Sequence, residues 1–200
     1  MITIYQLKPR FQALLRPLAT RLADKGVTAN AVTLCAAAIS VALGLLLYFL
    51  PYRFLFLLLP LWMFVRMAFN AIDGMLAREF GQKSVLGTYL NELTDVVSDA
   101  ALYLPFVMVA PFGWGSVGLV IFLSVVSEMA GALGPMVGAP RAYNGPMGKS
   151  DRAFVFGALG LWFAVAGSLP SWAFWIMPLV ALAIAINIVN RVRSGLACAK

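Results

Sequence analysis

Most of this chain's few acidic residues crowd into one short stretch: Asp73, Glu79, Glu92, Asp95 and Asp99, out of 8 Asp and Glu in 200 residues. Asn70 and Asn91 stand among them. Arg66, Asn70, Asp73 and Ala77 recur at steps of three and four, so a helix carries them on one face. Gly87, Asn91, Asp95 and Asp99 form a second stripe at steps of four. The short link from Phe80 to Lys83 makes the two helices antiparallel neighbours, with the stripes able to face one another. Two stripes of carboxylate and amide oxygens suit a hard cation, Mg²⁺, Mn²⁺ or Ca²⁺, rather than zinc. The small residues Gly74, Ala77 and Gly87 leave room for a bulky group beside those oxygens. With Arg78 and Lys83 close by, the chemistry is that of a diphosphate: ions neutralise its charge, and a carboxylate takes a proton from the attacking group. Two other readings fit the same residues. One is a set of buried salt bridges, such as Arg66 with Asp73. The other is a cation or proton pathway, which the clustering of the acids at one end disfavours.

Composition says what must hold these residues. The chain is 62% hydrophobic and 12% charged, whereas soluble domains run at about 45–50% and about 25%. That excludes a soluble enzyme and a disordered tail, and predicts a polytopic membrane protein. With no histidine, Ser-His-Asp and Cys-His catalysis and imidazole ligation are excluded. Cys35 and Cys198 support neither a disulfide framework nor a zinc site. A net charge of +7 on so apolar a chain points to anionic lipid or phosphate, not nucleic acid.

Residues 1–25 lack a signal peptide. Leu7, Phe11, Leu14, Leu15, Leu18 and Leu22 recur at helical spacing, interleaved with Lys8, Arg10, Arg16 and Arg21. This predicts an amphipathic helix on the membrane surface, bent at Pro17. Residues 26–200 then form one membrane domain. Val27 to Tyr52 is uncharged and long enough for a first span, with Thr28 or Asn30 near its N-cap. Phe54 to Phe80 is a second span, Ser84 to Ala110 a third and Trp114 to Gly138 a fourth. Ala139 to Asp151 is a loop. Ala153 to Asn190 holds no charge and is divided at Ser168–Ser171 into a fifth and a sixth. The expected fold is therefore all-α, six transmembrane helices in one bundle behind a surface helix. In that topology every Lys and Arg except Arg53 and Arg66 falls on the side of the termini, which the positive-inside rule assigns to the cytoplasm. Trp114, Trp172 and Trp175 begin spans on the other side, as an interfacial belt does. Gly134 with Gly138, and the step Ala36, Ser40, Gly44, allow close helix contact. Glu128 is a lone acid in the fourth span, either lining a cavity or paired with a base such as Arg66.

The pattern Asn70-x-x-Asp73-Gly74-x-x-Ala77-Arg78, eight residues, Gly87, three residues, Asn91, three residues, Asp95 resembles the signature of the CDP-alcohol phosphatidyltransferase family. That signature has Asp at the positions of Asn70 and Asn91. The start of the first span, Thr28-Ala29-Asn30-Ala31-Val32-Thr33, is similar to the family's Thr-Pro-Asn-x-x-Thr. The resemblance implies transfer of a phosphatidyl group from a CDP-activated lipid such as CDP-diacylglycerol to a polar alcohol, with release of CMP. It implies Mg²⁺ or Mn²⁺ held at Asn70, Asp73, Asn91 and Asp95, and Asp95 as general base. It assigns the CDP-lipid to Asn30, Thr33, Gly74, Ala77, Arg78, Ser84 and Gly87. Arg152 and Arg191, and more weakly Arg141 and Lys149, resemble positions that bind a phosphorylated acceptor, hinting at an anionic alcohol. It also implies a homodimer in a bacterial inner membrane. The two amides bring no charge, so weaker metal binding, a single ion, or help from Glu92 or Asp99 is expected. A relative that binds CDP-lipid without turning it over is the alternative. No nucleophile sits in the cluster, and Ser98 lies off the acid stripe, so direct displacement is expected.

Overall fold

The computed structural model describes residues 4–198, with side chains from Phe11 onward. All secondary structure among the described residues is helical. Helices α1 (Ile4–Asp24), α2 (Ala29–Phe49), α3 (Leu58–Glu79), α4 (Val85–Tyr103), α5 (Trp114–Ala132), α6 (Lys149–Ala166) and α7 (Ile176–Cys198) follow in order. Short 3-10 turns occupy Arg53–Leu57, Leu104–Met108, Gly134–Val137 and Ser171–Trp175. Four segments are long and apolar enough to cross a membrane: Ala29–Phe49, Arg53–Glu79, Trp114–Ala132 and Ser171–Cys198. Helices satisfy their own backbone hydrogen bonds, which is what lipid demands of a spanning segment. Helices α4 and α6 carry Glu92, Asp95 and Asp99, and Lys149, Asp151 and Arg152, and are not among the four.

Local chemistry sets the boundaries. The Ala31 N–H donates to Thr28 Oγ1 at 3.1 Å, so Thr28 rather than Asn30 caps α2. Helix α1 runs unbroken through Pro17, where a bend was expected. Helix α6 begins at Lys149, ahead of the loop boundary expected at Asp151, because the Gly148 N–H donates to the Asp151 carboxylate at 3.0 Å. That acid also meets the positive end of the helix. The same helix stops at Gly167, whose φ of 78° is a left-handed cap that favours glycine.

The chain divides into two compact units, residues 1–39 with 64–95, and residues 40–63 with 96–200. Helices α2, α3 and α4 each contribute a segment to both. In the first unit, Ala19, Ala29, Val32, Ile72, Met75 and Leu76 are buried together, with Leu15, Leu22, Val27 and Phe69 packed on them. Helix α1 thus turns Leu15, Ala19 and Leu22 inward and leaves Leu14 and Leu18 exposed. Arg16 pins it to the end of α3 by two bonds to the Glu79 carboxylate, 3.0 and 3.1 Å. The expected contributions of the Leu7, Lys8 and Arg10 side chains, and of Lys200, lie outside the described residues.

The second unit is built on aromatic and small residues. Phe56, Tyr103, Phe106 and Phe156 are fully buried, with Tyr103 stacked on Phe156 at 3.9 Å and Phe106 edge-on to both Phe56 and Phe156. Lipid tails are as apolar as these side chains, so close packing, more than water exclusion, holds such helices together. Gly44 shows how close: a Cβ there would overlap the backbone carbonyl of Ala101. Gly160 is packed less tightly, a Cβ there coming 3.0 Å from the Leu59 side chain.

Candidate active site

The first unit holds a cleft of about 630 Å³, within the ~300–1,000 Å³ range of small-molecule sites. Three helix segments line it. The start of α2 supplies Asn30 and Thr33. The last turns of α3 supply Asp73, Gly74, Ala77 and Arg78. Ser84, just ahead of α4, and Gly87, Asn91 and Glu92 at its start line it too. Every residue that the sequence assigned to the CDP-lipid lies on this wall, because the α3–α4 turn is short and both helices present their small-residue faces. Gly74 is held near Arg78: a Cβ at Gly74 would come within 2.8 Å of the Arg78 Nη2. Likewise a Cβ at Gly87 would lie 2.8 Å from Asn30 Oδ1.

The acids divide between the cleft and its surroundings. Asp73 is buried, and Thr33 Oγ1 donates to its Oδ2 at 2.8 Å. Asp95 and Asn70 are half-buried and do not line the cleft. Arg66 binds Asp95 through Nη2, at 3.2 Å to Oδ1 and 3.3 Å to the backbone oxygen. Arg66 thus has a partner in Asp95, beside the pairings with Asp73 or Glu128 that the sequence suggested. No group of three or more His, Cys, Asp or Glu side chains gathers in a metal-holding arrangement among the described residues. With amides at positions 70 and 91, only Asp73 and Asp95 keep carboxylates at the four signature positions. The donors that remain, two carboxylates and two amide oxygens with Glu92 beside them, are all hard oxygens and fit Mg²⁺ or Mn²⁺.

Asp99 is not with them. It is buried in the second unit, where the Arg152 Nη2 meets its Oδ2 at 3.4 Å. The same unit gathers the predicted acceptor residues Arg141, Arg152 and Arg191 around Glu128. Their guanidiniums reach its carboxylate at 3.2, 2.9 and 3.5 Å respectively. Arg152 also donates to the Met147 carbonyl at 3.2 Å, and Arg191 to the Ser127 carbonyl at 2.5 Å. Burial pushes the Arg141 guanidinium below its ordinary value, an effect that Tyr143 opposes and Arg191 reinforces. Lys149, half-buried, opens α6.

Two contributors escaped the sequence reading. Gln82 accepts from the Ala29 N–H at 2.6 Å and donates to the Val27 carbonyl at 3.3 Å, tying the α3–α4 turn to the start of α2. Thr88 joins the cleft wall. A glutamine in a turn carries no signal of such a role. Thr88 follows Gly87 and could have been read from helical spacing.

Apolar helices long enough to span a bilayer, beside a polar cleft with oxygen donors and cations, define an integral membrane protein. The chain belongs to the CDP-alcohol phosphatidyltransferase family, whose model matches residues 26–187. Inner membrane protein YnbA of Escherichia coli is 45% identical over 198 residues, 98% of this chain and 97% of that protein. The phosphatidylinositol phosphate synthase of Mycobacteroides abscessus is 36% identical over 112 residues, 56% of this chain and 49% of that protein. Crystal structures of the Mycobacterium tuberculosis phosphatidylinositol phosphate synthase share the fold at a TM-score of 0.73 and 23% identity over 90% of this chain. One, of which 92% is covered, has CDP-DAG bound; the other, 88% covered, is a complex with manganese and citrate.

Proposed function

We propose that this protein synthesises a phospholipid by moving a phosphatidyl group from a CDP-activated lipid such as CDP-diacylglycerol to a polar alcohol. The observation that carries the reading is the cleft itself, in which Asp73, Gly74, Arg78 and Asn91 stand at the signature spacing of the family. The nucleotide end of the donor lies against Asn30, Thr33, Gly74, Ala77, Ser84 and Gly87, with Arg78 and Lys83 meeting its diphosphate charge. Asp73 and Asp95, with the amide oxygens of Asn70 and Asn91, would hold Mg²⁺ or Mn²⁺, one ion or two, and Glu92 is near enough in sequence to add a carboxylate. The ion supplies charge neutralisation on the diphosphate. Thr33 fixes the Asp73 carboxylate, and Arg66 orients that of Asp95. Asp95 accepts the proton of the acceptor hydroxyl as its oxygen bonds to the lipid-bearing phosphorus. The bond from that phosphorus to the bridging oxygen breaks, and CMP leaves with the electron pair. No covalent enzyme intermediate is required. Arg141, Lys149, Arg152 and Arg191 belong to the acceptor side.

The wider arrangement is part of the same proposal. Residues 1–25 lie on the membrane surface, supported by the exposed Leu14 and Leu18 of α1. Residues 26–200 form the transferase domain with six spans, α2 to α7, in a bacterial inner membrane. The distribution of Lys and Arg supports termini and cleft on the cytoplasmic side, and the family resemblance adds a homodimer.

The test is CMP release from CDP-diacylglycerol by the purified protein with Mg²⁺ or Mn²⁺ against a panel of alcohols. Metal-dependent release that one acceptor stimulates, lost with EDTA and in Asp95→Asn, is the expected result. Full activity in Asp95→Asn would remove the proposed base. CDP-lipid binding without any CMP release would favour a relative that has lost its chemistry. Ion flux in liposomes without CMP release would favour a transport protein.

A further inference from the structure

Helix α5 carries one charged residue, Glu128, and the second unit turns three guanidiniums on it. The side chains of Arg152 and Arg191 are 0% and 2% exposed, and that of Glu128 is 10% exposed. Charges so deeply held need partners inside the protein. The donors are committed accordingly. Arg152 spends Nη2 on Glu128 and Asp99 and Nη1 on the Met147 carbonyl. Arg191 spends Nη1 on Glu128 and the Ser127 carbonyl. Their Nε atoms are buried without a hydrogen-bond partner. The void beside Asp99, Tyr103, Glu128 and Arg152 measures about 10 Å³, room for about one water.

We infer that Glu128 is the resident anion of this arginine cluster, taking the guanidinium donors that a phosphate would otherwise take and so restricting the acceptor to an alcohol that brings no phosphate here. The inference rests on the transferase reading and on the place of Arg152 and Arg191 in the acceptor subsite. Arginine recognises a phosphate by offering two parallel N–H groups to it, and here those forks are turned onto Glu128, Asp99 and two backbone carbonyls. Two carboxylates against three guanidiniums leave little positive charge for a dianion to neutralise. The void beside Arg152 is too small for one. Arg141, Arg152 and Arg191 thus stand on the acceptor side with Glu128 between them, and Glu128 sets specificity.

The experiment uses the full chain in nanodiscs, with inorganic phosphate, glycerol and glycerol 3-phosphate as probes. In the wild type, phosphate leaves both the unfolding midpoint and the rate of CMP release unchanged, and glycerol 3-phosphate is no better an acceptor than glycerol. Glu128→Ala opens the cluster, so phosphate raises its unfolding midpoint saturably and binds about tenfold or more tighter than to wild type, the scale of one charge-assisted hydrogen bond. Adding Arg191→Ala to that variant weakens the effect. Glu128→Gln keeps the volume and removes the charge. If Glu128→Ala does not fold without an anion, recovery of folded protein by phosphate during purification reports the same gain. Phosphate protection of the wild type, or preference for glycerol 3-phosphate, would overturn the inference. So would a folded Glu128→Ala protein that phosphate does not stabilise. Phosphate binding is read without turnover, so a protein that releases no CMP would count against the transferase reading and leave this measurement intact.

Discussion

Replacing Gly74 with alanine separates the cleft from the fold. A Cβ at this position would sit 2.8 Å from the Arg78 Nη2, 3.2 Å from Nη1 and 3.3 Å from Cζ. All three atoms belong to the free end of a long side chain, and no backbone atom is among the nearest. The guanidinium must swing away while α3 stays where it is. Alanine in place of glycine inside a helix gains about 0.5–1 kcal/mol, so the unfolding midpoint should hold or rise slightly. The cleft, however, loses the Arg78 cation, one of two with Lys83, from the place that the proposed function gives to the diphosphate. A hydrogen bond to a charged group contributes about 1.5–3 kcal/mol, which is roughly a 10–150-fold fall in kcat/KM for CDP-diacylglycerol. The assay is CMP release over a range of donor, beside thermal unfolding of the same preparation. Arg78→Ala should show a loss of similar size, and the double variant little further loss, since both act through one guanidinium. Wild-type kcat/KM in Gly74→Ala would refute the reasoning. So would additive losses in the double variant.

Three further outcomes follow from other contacts. Gly44→Ala should destabilise by about 1–3 kcal/mol, seen as a lower thermal midpoint, because the new Cβ meets the backbone carbonyl of Ala101, which cannot swing aside. Thr33→Val removes the donor that holds the Asp73 carboxylate; half-maximal activity should then require about 10–100-fold more Mg²⁺ in a metal titration, with the fold retained. Arg16→Ala should leave the unfolding midpoint close to that of the wild type in physiological salt. Its pair with Glu79 is solvent-exposed, and such pairs contribute little.

The family and the wall of the cleft were legible in the chain because both are local. A helix repeats every 3.6 residues, so Asp73, Gly74, Ala77 and Arg78 share a region of α3 whatever the rest of the protein does, and a short turn brings the first residues of α4 beside them. Long apolar runs such as Ala29–Phe49 and Trp114–Ala132 declare themselves for the same reason, since lipid accepts only a backbone that satisfies itself. Even the missing charge at positions 70 and 91 was readable, because an amide carries none in any fold.

Pairing between distant helices was another matter. Spacing suggested Asp73 or Glu128 as partners of Arg66 and could not name Asp95, which it meets at 3.2 Å. Glu128 collects Arg141, Arg152 and Arg191 from a loop and two later helices, and Gln82 reaches back to the start of α2. An ion pair or hydrogen bond requires atoms within 4 Å, and that approach depends on which faces meet and how closely. Contacts such as Gly44 against Ala101 and Gly160 against Leu59 set it. Helical spacing alone thus determined what each face of this protein carries. Only the packing of one helix on another decided what each face finds opposite, because short-range interactions are made by surfaces in contact and not by residues in order.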